Sequence, residues 1–405
     1  MLSVSDQFAR YREALRGRTL PAAFVDLDAF ERNVAYVAEL ANRHRKTIRV
    51  HSKSLRCPAL MRKILETGGP AYRGVMTYSA RETAWLAEQG FDDFIIAYPT
   101  VQPADLEALV ALTRRGGQAR VMIDCLEHLE ILETAGRRAR VQLPACLEID
   151  VSYRPLGSVW HIGPRRSPIR TPEQALAVAA AAKILSHVVI DAVMGYEAHI
   201  AGPNDAVPGQ PAKNLATRLF KTASLRELEQ RRARIVAALR EAGLNPVIVN
   251  GGGSGSLPET LADPCLTEAT VGSAFYAPAL FHHYRRVSFA PAAFFALQVV
   301  RRPASDLVTC QGGGYVASGP AGEDRLPRPV YPEGLRYLSL EGAGEVQTPL
   351  VVPAEAPRLE LGDPVFFQHA KAGELAERFN EFFLVRGTEI VDTAKTYRGE
   401  GRVFL

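Results

Sequence analysis

The chain has 405 residues, 47% of them hydrophobic, which is enough for a sizeable buried core and suggests two domains rather than one. Its formal net charge is +4, and no basic stretch is interleaved with aromatic residues, so nucleic-acid binding is not indicated. The five cysteines are scattered without a CxxC pair, which argues for a reducing compartment and against a disulfide framework or a structural zinc site.

No segment is predicted to cross a membrane or to direct secretion. The longest apolar stretches, residues 175–182 and 291–300, are too short to span a bilayer. Residues 1–20 are charged and lack the apolar stretch of a signal peptide. We therefore expect a cytoplasmic protein.

Residues 20–285 alternate between short β-branched runs and amphipathic helical patterns. The predicted strands are residues 22–27, 47–51, 74–77, 94–97, 120–123, 145–150, 188–195 and 246–250. The predicted helices between them are residues 29–44, 58–66, 80–88, 103–114, 127–135, 172–185 and 225–242. Eight strands that alternate with helices predict a (β/α)8 barrel.

The pattern changes near residue 286 to short alternating strands that Gly and Pro clusters separate. These predicted strands are residues 292–300, 307–310, 337–340, 346–352 and 364–368. They indicate a second, mainly β domain over residues 286–405. The loop-rich segment 312–331 lies within it, and loops of this length are often functional.

Lys53 follows the predicted strand 47–51 and precedes a helical pattern. Barrel enzymes place their chemistry at the C-terminal ends of the strands, which is where this lysine is expected. Its amine can form a Schiff base with a carbonyl group, including the aldehyde of pyridoxal phosphate. The alternative is a surface lysine at a strand end. His51 is expected on the opposite face of the strand, in a packing role.

A glycine-rich loop, Asn-Gly-Gly-Gly-Ser-Gly-Ser over residues 250–256, follows the last predicted barrel strand. Glycines let backbone N–H groups approach an anion closely, and the start of the short helix predicted at residues 257–261 adds a favourable dipole. Barrels often bind phosphate after their seventh and eighth strands. We therefore predict a phosphate site at the same mouth as Lys53, with a plain turn as the alternative.

Three features together resemble fold-type III pyridoxal-phosphate enzymes: His51-Ser52-Lys53 at a strand end, the Gly251-Gly252-Gly253-Ser254 loop, and a β domain after the barrel. Within that group the chain is most similar to the D-threonine aldolase and D-serine dehydratase branch, in particular to proteins of the amino acid deaminase/aldolase type. The resemblance covers roughly residues 20–405. It implies an alanine-racemase-like (β/α)8 barrel that binds the cofactor, followed by a smaller, D-serine dehydratase-like β domain.

The resemblance also implies roles for individual residues. Lys53 would hold the cofactor and act as the base at the substrate Cα, and His199 would line the same mouth. Arg166 would approach the phenolate side of the cofactor, with Arg154 as the competing assignment. Tyr196 would lie at the pyridine ring. The implied cofactor-binding residues are Lys53, Arg166, Tyr196, Gly252, Gly253, Ser254, Gly255 and Ser273, with Gly272 beside the last.

The chain departs from this family at one position. Metal-dependent members hold a divalent ion through a histidine and a Cys or Asp two residues later, and the matching residues here are His369 and Lys371. A charged lysine has no acceptor and cannot ligate a cation. We favour Lys371 as a substitute for the metal; the alternatives are a different metal site formed by His369 with Glu374, or ordinary residues that open a helix over residues 372–382.

The resemblance implies a lyase that acts on a D-configured β-hydroxy-α-amino acid, by retro-aldol cleavage to glycine and an aldehyde. His369 and Lys371 would then act at the β-hydroxyl, since an unperturbed histidine titrates near neutrality. The main alternative is dehydration and deamination to a 2-oxo acid and ammonia. Racemisation would need a second base, for which Tyr315 and Tyr331 are candidates.

Two further alternatives are a cofactor carrier without turnover and a sugar-phosphate barrel enzyme with a Schiff-base lysine. The resemblance also implies a homodimer in which the β domain of one chain completes the mouth of the other. His369 and Lys371 of one chain would then serve Lys53 of the second chain.

Overall fold

The computed structural model of the chain describes residues 4–157 and 159–404. Its helices are α1 Val4–Ala14, α2 Leu27–Arg43, α3 Pro58–Thr67, α4 Ala80–Glu88, α5 Pro103–Arg114, α6 Leu126–Ala139, α7 Pro172–Lys183, α8 Ala198–Ala201, α9 Pro211–Glu241, α10 Leu257–Ala262 and α11 Ser273–Tyr276. None of the helices in these ranges is long and apolar enough to cross a membrane.

The strands form a barrel and a separate sheet. In chain order they are β1 Ala22–Asp26, β2 Thr47–His51, β3 Tyr72–Thr77, β4 Phe94–Ile96, β5 Ala119–Ile123, β6 Leu143–Glu148, β7 Val188–Gly195, β8 Ile248–Gly251, β9 Glu268–Val271, β10 Ala293–Ala304, β11 Leu307–Gln311, β12 Arg328–Tyr331, β13 Arg336–Tyr337, β14 Gln347–Val351, β15 Pro364–Gln368, β16 Glu381–Arg386 and β17 Glu389–Lys395.

Strands β2 to β9 close into an eight-stranded barrel in chain order, and every neighbouring pair is parallel. Helices cover its outside, so both faces of each strand are shielded from water and the strands are largely apolar. The predicted (β/α)8 barrel is confirmed, as is the mainly β C-terminal sheet.

Two strand assignments were wrong. Residues 22–27 were expected to begin the barrel, but β1 pairs antiparallel with β10 and parallel with β16 in the C-terminal sheet. The eighth barrel strand is instead β9, whose short sequence Glu-Ala-Thr-Val carries two polar side chains and no strong strand pattern. Lys53 therefore follows the first barrel strand, and the glycine loop follows the seventh. The division of domains at residues 285 and 286 stays a prediction.

The C-terminal sheet has nine strands, in the order β13-β14-β11-β10-β1-β16-β17, with β15 beside β10 and β12 beside β15. The helix expected over residues 372–382 was wrong. Only a 3₁₀ turn, Gly373–Glu377, forms there, and β16 begins at Glu381. Phe382 and Leu384 are buried, and Phe383 between them is half-buried, as expected for a strand that packs on a hydrophobic layer. This packing outweighs the local helical pattern.

The barrel interior contains a buried ion pair between its first and last strands. Nε of Arg49 on β2 lies 2.6 Å from Oε1 of Glu268 on β9, and both side chains are shielded from water. The Asn250 amide donates to the same Glu268 oxygen at 2.8 Å, and Asp93 gives Arg49 a second, longer contact at 3.4 Å. The pair thus joins the strands that meet where the barrel closes.

We predict that Glu268→Met lowers the free energy of unfolding by about 3 kcal/mol, because it leaves the buried Arg49 guanidinium without its main partner. Urea denaturation checks this, with the exposed Glu341→Ala as a control that should change little. The double variant Arg49→Met with Glu268→Met should recover most of the loss. Wild-type stability in the single variant would contradict the prediction.

Candidate active site

A cavity of about 460 Å³ opens at the C-terminal ends of the barrel strands. Its wall comes from the loops after several barrel strands and from residues 371–374 of the C-terminal region. Seven of the eight predicted cofactor-binding residues line it: Lys53, Arg166, Tyr196, Gly252, Gly253, Ser254 and Ser273. This is the location at which barrel enzymes build their active sites.

Lys53 lies in a single 3₁₀ turn, Ser52–Ser54, directly after β2. Its Nζ is 3.4 Å from the hydroxyl of Tyr98, a residue that the sequence did not single out. His51 also lines the cavity, so the expectation that it faces away from Lys53 was wrong. Residues two apart in a strand point to the same face, so the period of two itself agrees with finding His51 and Lys53 in one cavity.

The glycine loop and the loop after β9 meet on one side of the cavity. Gly252 has φ of +92°, which favours glycine, and a Cβ there would lie 2.7 Å from Cγ2 of Thr260. Oγ of Ser254 accepts a hydrogen bond from the backbone N–H of Ala274 at 2.9 Å, which ties the two loops together. Gly255 does not line the cavity, because it packs against Ala201 behind the loop.

Arg166, rather than Arg154, reaches the cavity. The Arg166 guanidinium carbon lies 5.2 Å from the ring centroid of Tyr98 and 5.0 Å from that of Tyr196, and Nη1 lies 3.5 Å from Oε1 of Glu148. Nη2 of Arg154 instead bonds Oδ2 of Asp150 at 2.6 Å. The sequence alone could not decide which of these two arginines lines the cavity with Lys53.

Burial disfavours the charged form of several groups around the cavity. It raises the pKa of Tyr196, although the nearby Arg166 charge opposes this, so Tyr196 is a neutral phenol at pH 7. Burial also raises the pKa of Glu148 to about 7, again against the effect of Arg166. The pKa of His51 is lowered well below its usual value, first by burial and then by the charge of Lys53.

Lys371 lines the same cavity as Lys53 of its own chain, and its Nζ donates to Oγ of Ser318 at 2.9 Å. It therefore reaches this mouth without a second chain. His369 does not line the cavity. Its side chain is buried, and burial lowers its pKa to about 3, so the imidazole is neutral at pH 7.

Three other predicted residues also lie outside the cavity. His199 is buried beside Phe220. Tyr331, at the end of β12, packs against Tyr11 of α1 and Phe294 of β10. Tyr315 lines a neighbouring cavity. The two tyrosines considered as a second base for racemisation are therefore both absent from the described wall of the Lys53 cavity.

The residues around His369 do not fit a metal site. Lys371 places an ammonium group at the second ligand position, and the Glu374 carboxylate accepts from the Ser318 backbone N–H at 3.1 Å. Over residues 4–157 and 159–404, the group of three metal-capable side chains is Asp124, Cys125 and His128, after β5, and it does not include His369.

Comparison with known proteins identifies the family. The profile of the alanine racemase N-terminal domain matches residues 25–279. The chain belongs to this family. The family implies pyridoxal phosphate as the cofactor, and the lysine, the glycine–serine loop and the arginine found in one cavity fit an aldehyde with a phosphate group.

Two relatives of the chain are aldolases. The chain is 24% identical over 324 residues to the D-threonine aldolase of Arthrobacter sp, which covers 79% of this chain and 77% of that protein. It is 25% identical over 236 residues to the 3-hydroxy-D-aspartate aldolase of Paracoccus denitrificans, covering 58% and 54% of the two chains. The chain is thus a distant homologue of both aldolases.

Solved structures share the whole fold. The D-threonine aldolase from Filomicrobium marinum matches with a TM-score of 0.79 at 22% identity, covering 95% of this chain and 96% of that chain. The D-threo-3-hydroxyaspartate dehydratase from Delftia sp. HT23 matches with a TM-score of 0.74 at 17% identity, covering 95% and 98%. The alanine-racemase-like fold shared with these structures therefore includes the C-terminal sheet as well as the barrel.

The contact that brings Lys371 to the cavity is a close approach of two backbones. A Cβ on Gly373 would overlap the carbonyl oxygen of Lys53 and lie 3.2 Å from Cα of Ser54. Only a glycine leaves room for this approach. Lys53 and the segment 371–374 are therefore held close to each other.

We predict that Gly373→Ala lowers the free energy of unfolding by about 1–3 kcal/mol through overpacking and reduces the fraction of protein that binds pyridoxal phosphate. Absorption spectroscopy and thermal melts measure the two effects. Gly387→Ala in the β16–β17 turn is the control: its φ is +61° with nothing near the added methyl, so it should cost stability but not cofactor content. Full cofactor content in Gly373→Ala would contradict the prediction.

Proposed function

We propose that the protein is a pyridoxal-phosphate-dependent lyase that cleaves a D-configured β-hydroxy-α-amino acid to glycine and an aldehyde. The observation that carries this proposal is the position of Lys53 and the Gly252–Ser254 loop in one cavity, with Lys371 from the C-terminal region beside them. Distant homology to two D-amino-acid aldolases supports the reaction type.

Several residues of the cavity have specific roles in this proposal. The cofactor, when bound, supplies an electron sink for the bond that breaks at the substrate Cα. Lys53 holds the cofactor through its amine and returns a proton to Cα. The backbone of Gly252 and Gly253, with Ser254 and Ser273, binds the phosphate. Arg166 would provide a positive charge to the phenolate group of the cofactor.

Tyr196 favours cleavage over reactions that need a strong electron sink. Its buried phenol is neutral at pH 7 because burial raises its pKa. A neutral phenol at the pyridine ring would stabilise the protonated ring less than a carboxylate would. The cofactor would then be a weaker electron sink. Retro-aldol cleavage and β-elimination can both proceed with a weaker electron sink.

His51 is the imidazole in the cavity that we assign to accept the proton of the β-hydroxyl; because burial and the charge of Lys53 lower its pKa, it is a weak base that readily gives the proton up again. Its Nδ1 lies 3.1 Å from the carbonyl oxygen of Met76, which can only accept, so Nδ1 carries the ring proton and Nε2 is an acceptor. The sequence pointed to His369 for this task, but His369 lies outside the cavity. Lys371 then places a positive charge where the developing alkoxide needs stabilisation.

Dehydration to a 2-oxo acid and ammonia is the second candidate. Lys371 favours it, because an ammonium group in the cavity can protonate a leaving hydroxyl group. Racemisation and a carrier role without turnover have less support, since Tyr315 and Tyr331 lie elsewhere and the C-terminal region contributes Lys371 to the cavity. The homodimer and the cytoplasmic location stay predictions.

The first test is spectroscopic. The wild-type protein with pyridoxal phosphate should show an absorption band near the visible edge that Lys53→Ala abolishes and the exposed Lys395→Ala retains. Incubation with D-threonine should then release glycine and acetaldehyde. Ammonia with a 2-oxo acid would identify the dehydratase instead, and a wild-type protein without the band would refute the cofactor assignment.

A second test concerns Lys371. We expect wild-type activity to persist in EDTA, and Lys371→Met to lose about a hundredfold in kcat because one charged donor at the reacting oxygen is removed. Metal ions should not rescue Lys371→Met, and wild-type activity abolished by EDTA would overturn the role of Lys371.

A further inference from the structure

Glu82 is a fully buried carboxyl group that has no role in the proposed reaction. It lies in the first turn of α4, where a glutamate commonly bonds the backbone of the N-cap residue, here Ser79, in a capping box. Its Oε2 instead accepts a hydrogen bond from the backbone N–H of Tyr78 at 2.7 Å, and its Oε1 accepts one from the Tyr397 hydroxyl at 2.8 Å. The carboxyl therefore joins α4 to the C-terminal region.

The third partner of Glu82 is Ser52, the residue before Lys53. Ser52 is buried, and its hydroxyl lies within hydrogen-bonding reach of the Glu82 carboxyl. The same hydroxyl lies 3.1 Å from the backbone carbonyl oxygen of Met76. A hydroxyl has one proton, so Ser52 donates either to Glu82 or to Met76. Which of the two it bonds depends on whether the Glu82 carboxyl carries a proton.

The Met76 carbonyl is also the partner of His51. Its oxygen lies 3.1 Å from Nδ1 of His51, the nitrogen that carries the ring proton. When Glu82 is ionised, its carboxylate accepts the Ser52 proton, and the Met76 carbonyl is left to the His51 ring. When Glu82 is protonated, its O–H donates to Ser52, and Ser52 in turn donates to Met76. This added bond competes for the carbonyl oxygen and weakens its bond to His51.

The surroundings of Glu82 keep both of its protonation states accessible at neutral pH. Burial raises the pKa of Glu82 to about 7, against its three hydrogen bonds and the charge of Arg56. Arg56 is itself paired with Glu377. The phenols of Tyr78 and Tyr397 stay neutral, because burial raises the pKa of both. A change of pH near 7 therefore switches Glu82 and leaves these neighbours as they are.

The His51 ring stays neutral over the same range of pH. Its pKa is lowered well below the usual value, first by burial and then by the charges of Lys53, Arg166 and Arg56. The bond to the Met76 carbonyl opposes this effect without cancelling it. A change in the ring signals of His51 near pH 7 therefore reports on its hydrogen bond and not on its own protonation.

We propose that Glu82 is a positioning residue for His51, to which it is linked through the Ser52 hydroxyl and the Met76 carbonyl. This inference rests on the proposed function and adds a residue to its proton transfer. An imidazole whose Nδ1 proton is firmly bonded is more basic at Nε2, the atom that takes up the β-hydroxyl proton. Ionised Glu82 keeps that bond intact, and it exchanges no proton with the substrate itself.

Heteronuclear NMR of the ring nitrogens, in the protein without cofactor, tests the hydrogen-bond link directly. The His51 signals, identified by their loss in His51→Asn, should change in one step near pH 7 in the wild type. Glu82→Gln should abolish the step, because its amide donates to Ser52 at every pH. Ser52→Ala should abolish it as well, since the connecting hydroxyl is gone. Glu88→Gln, exposed on the same helix, should retain the step.

Survival of the step in either variant would overturn the proposal. A step that remains in Glu82→Gln would come from another group, such as Glu148, whose pKa is also about 7. A step that is lost in Glu82→Gln but remains in Ser52→Ala would show that the charge acts through space, without the hydroxyl. Thermal melts show which variants are folded. If Glu82→Gln does not fold, Ser52→Ala, which removes one oxygen atom, decides the question.

Steady-state kinetics with D-threonine separates positioning from a purely structural role. At about pH 8, where wild-type Glu82 is ionised, Glu82→Gln should lower kcat about threefold and leave KM unchanged. At about pH 6, where the wild-type carboxyl is protonated and resembles the amide, the two proteins should have the same kcat. A loss of equal size at both values of pH would overturn the positioning role.

The NMR and kinetic results together distinguish the hydrogen-bond link from the reaction itself. A step that depends on Glu82 and Ser52, in a protein that cleaves no amino acid, would support the link and refute the lyase. Cleavage of D-threonine by a wild type whose His51 signals show no step would support the lyase and refute the link.

Discussion

The close approach of Gly373 to the carbonyl oxygen of Lys53 is the contact on which the rest of the site depends. It joins the C-terminal region to the first barrel strand with no side chain between the two backbones. It brings the segment 371–374 to the cavity, where Ser318 accepts a hydrogen bond from Lys371 and donates one from its backbone N–H to Glu374. Without this contact, Lys53 and the Gly252–Ser254 loop would line the cavity without the segment 371–374.

The electrostatics of the cavity suit an anionic cofactor and substrate. Four basic side chains, Lys53, Arg56, Arg166 and Lys371, line it with one carboxylate, that of Glu374. The nearby carboxyl of Glu148 has a pKa raised to about 7 by burial. Phosphate and carboxylate groups bring the compensating negative charge. Parallel closure of the barrel makes this possible, because it places the loops after β2, β6, β8 and β9 at one mouth although they are far apart in the sequence.

The errors of the sequence interpretation have physical causes. Strand β1 has the apolar, β-branched composition of a barrel strand, and composition does not reveal which partner a buried strand will pair with. Strand β9 escaped notice because Glu268 and Thr270 face the barrel interior, where Arg49 and Asn250 satisfy them. The helical pattern over residues 372–382 was overridden by packing of the segment against Lys53 and of β16 against β1.

The sequence by itself determined the barrel, the later β sheet, the position of Lys53 at a strand end and the glycine loop, because strand and helix periodicity and turn chemistry are local properties. Tertiary structure decided which arginine faces the lysine, that His51 rather than His369 reaches the cavity, and that Lys371 comes from the same chain. These choices depend on side-chain direction and on contacts between residues more than 100 positions apart. A local sequence pattern predicts neither side-chain direction nor such long-range contacts.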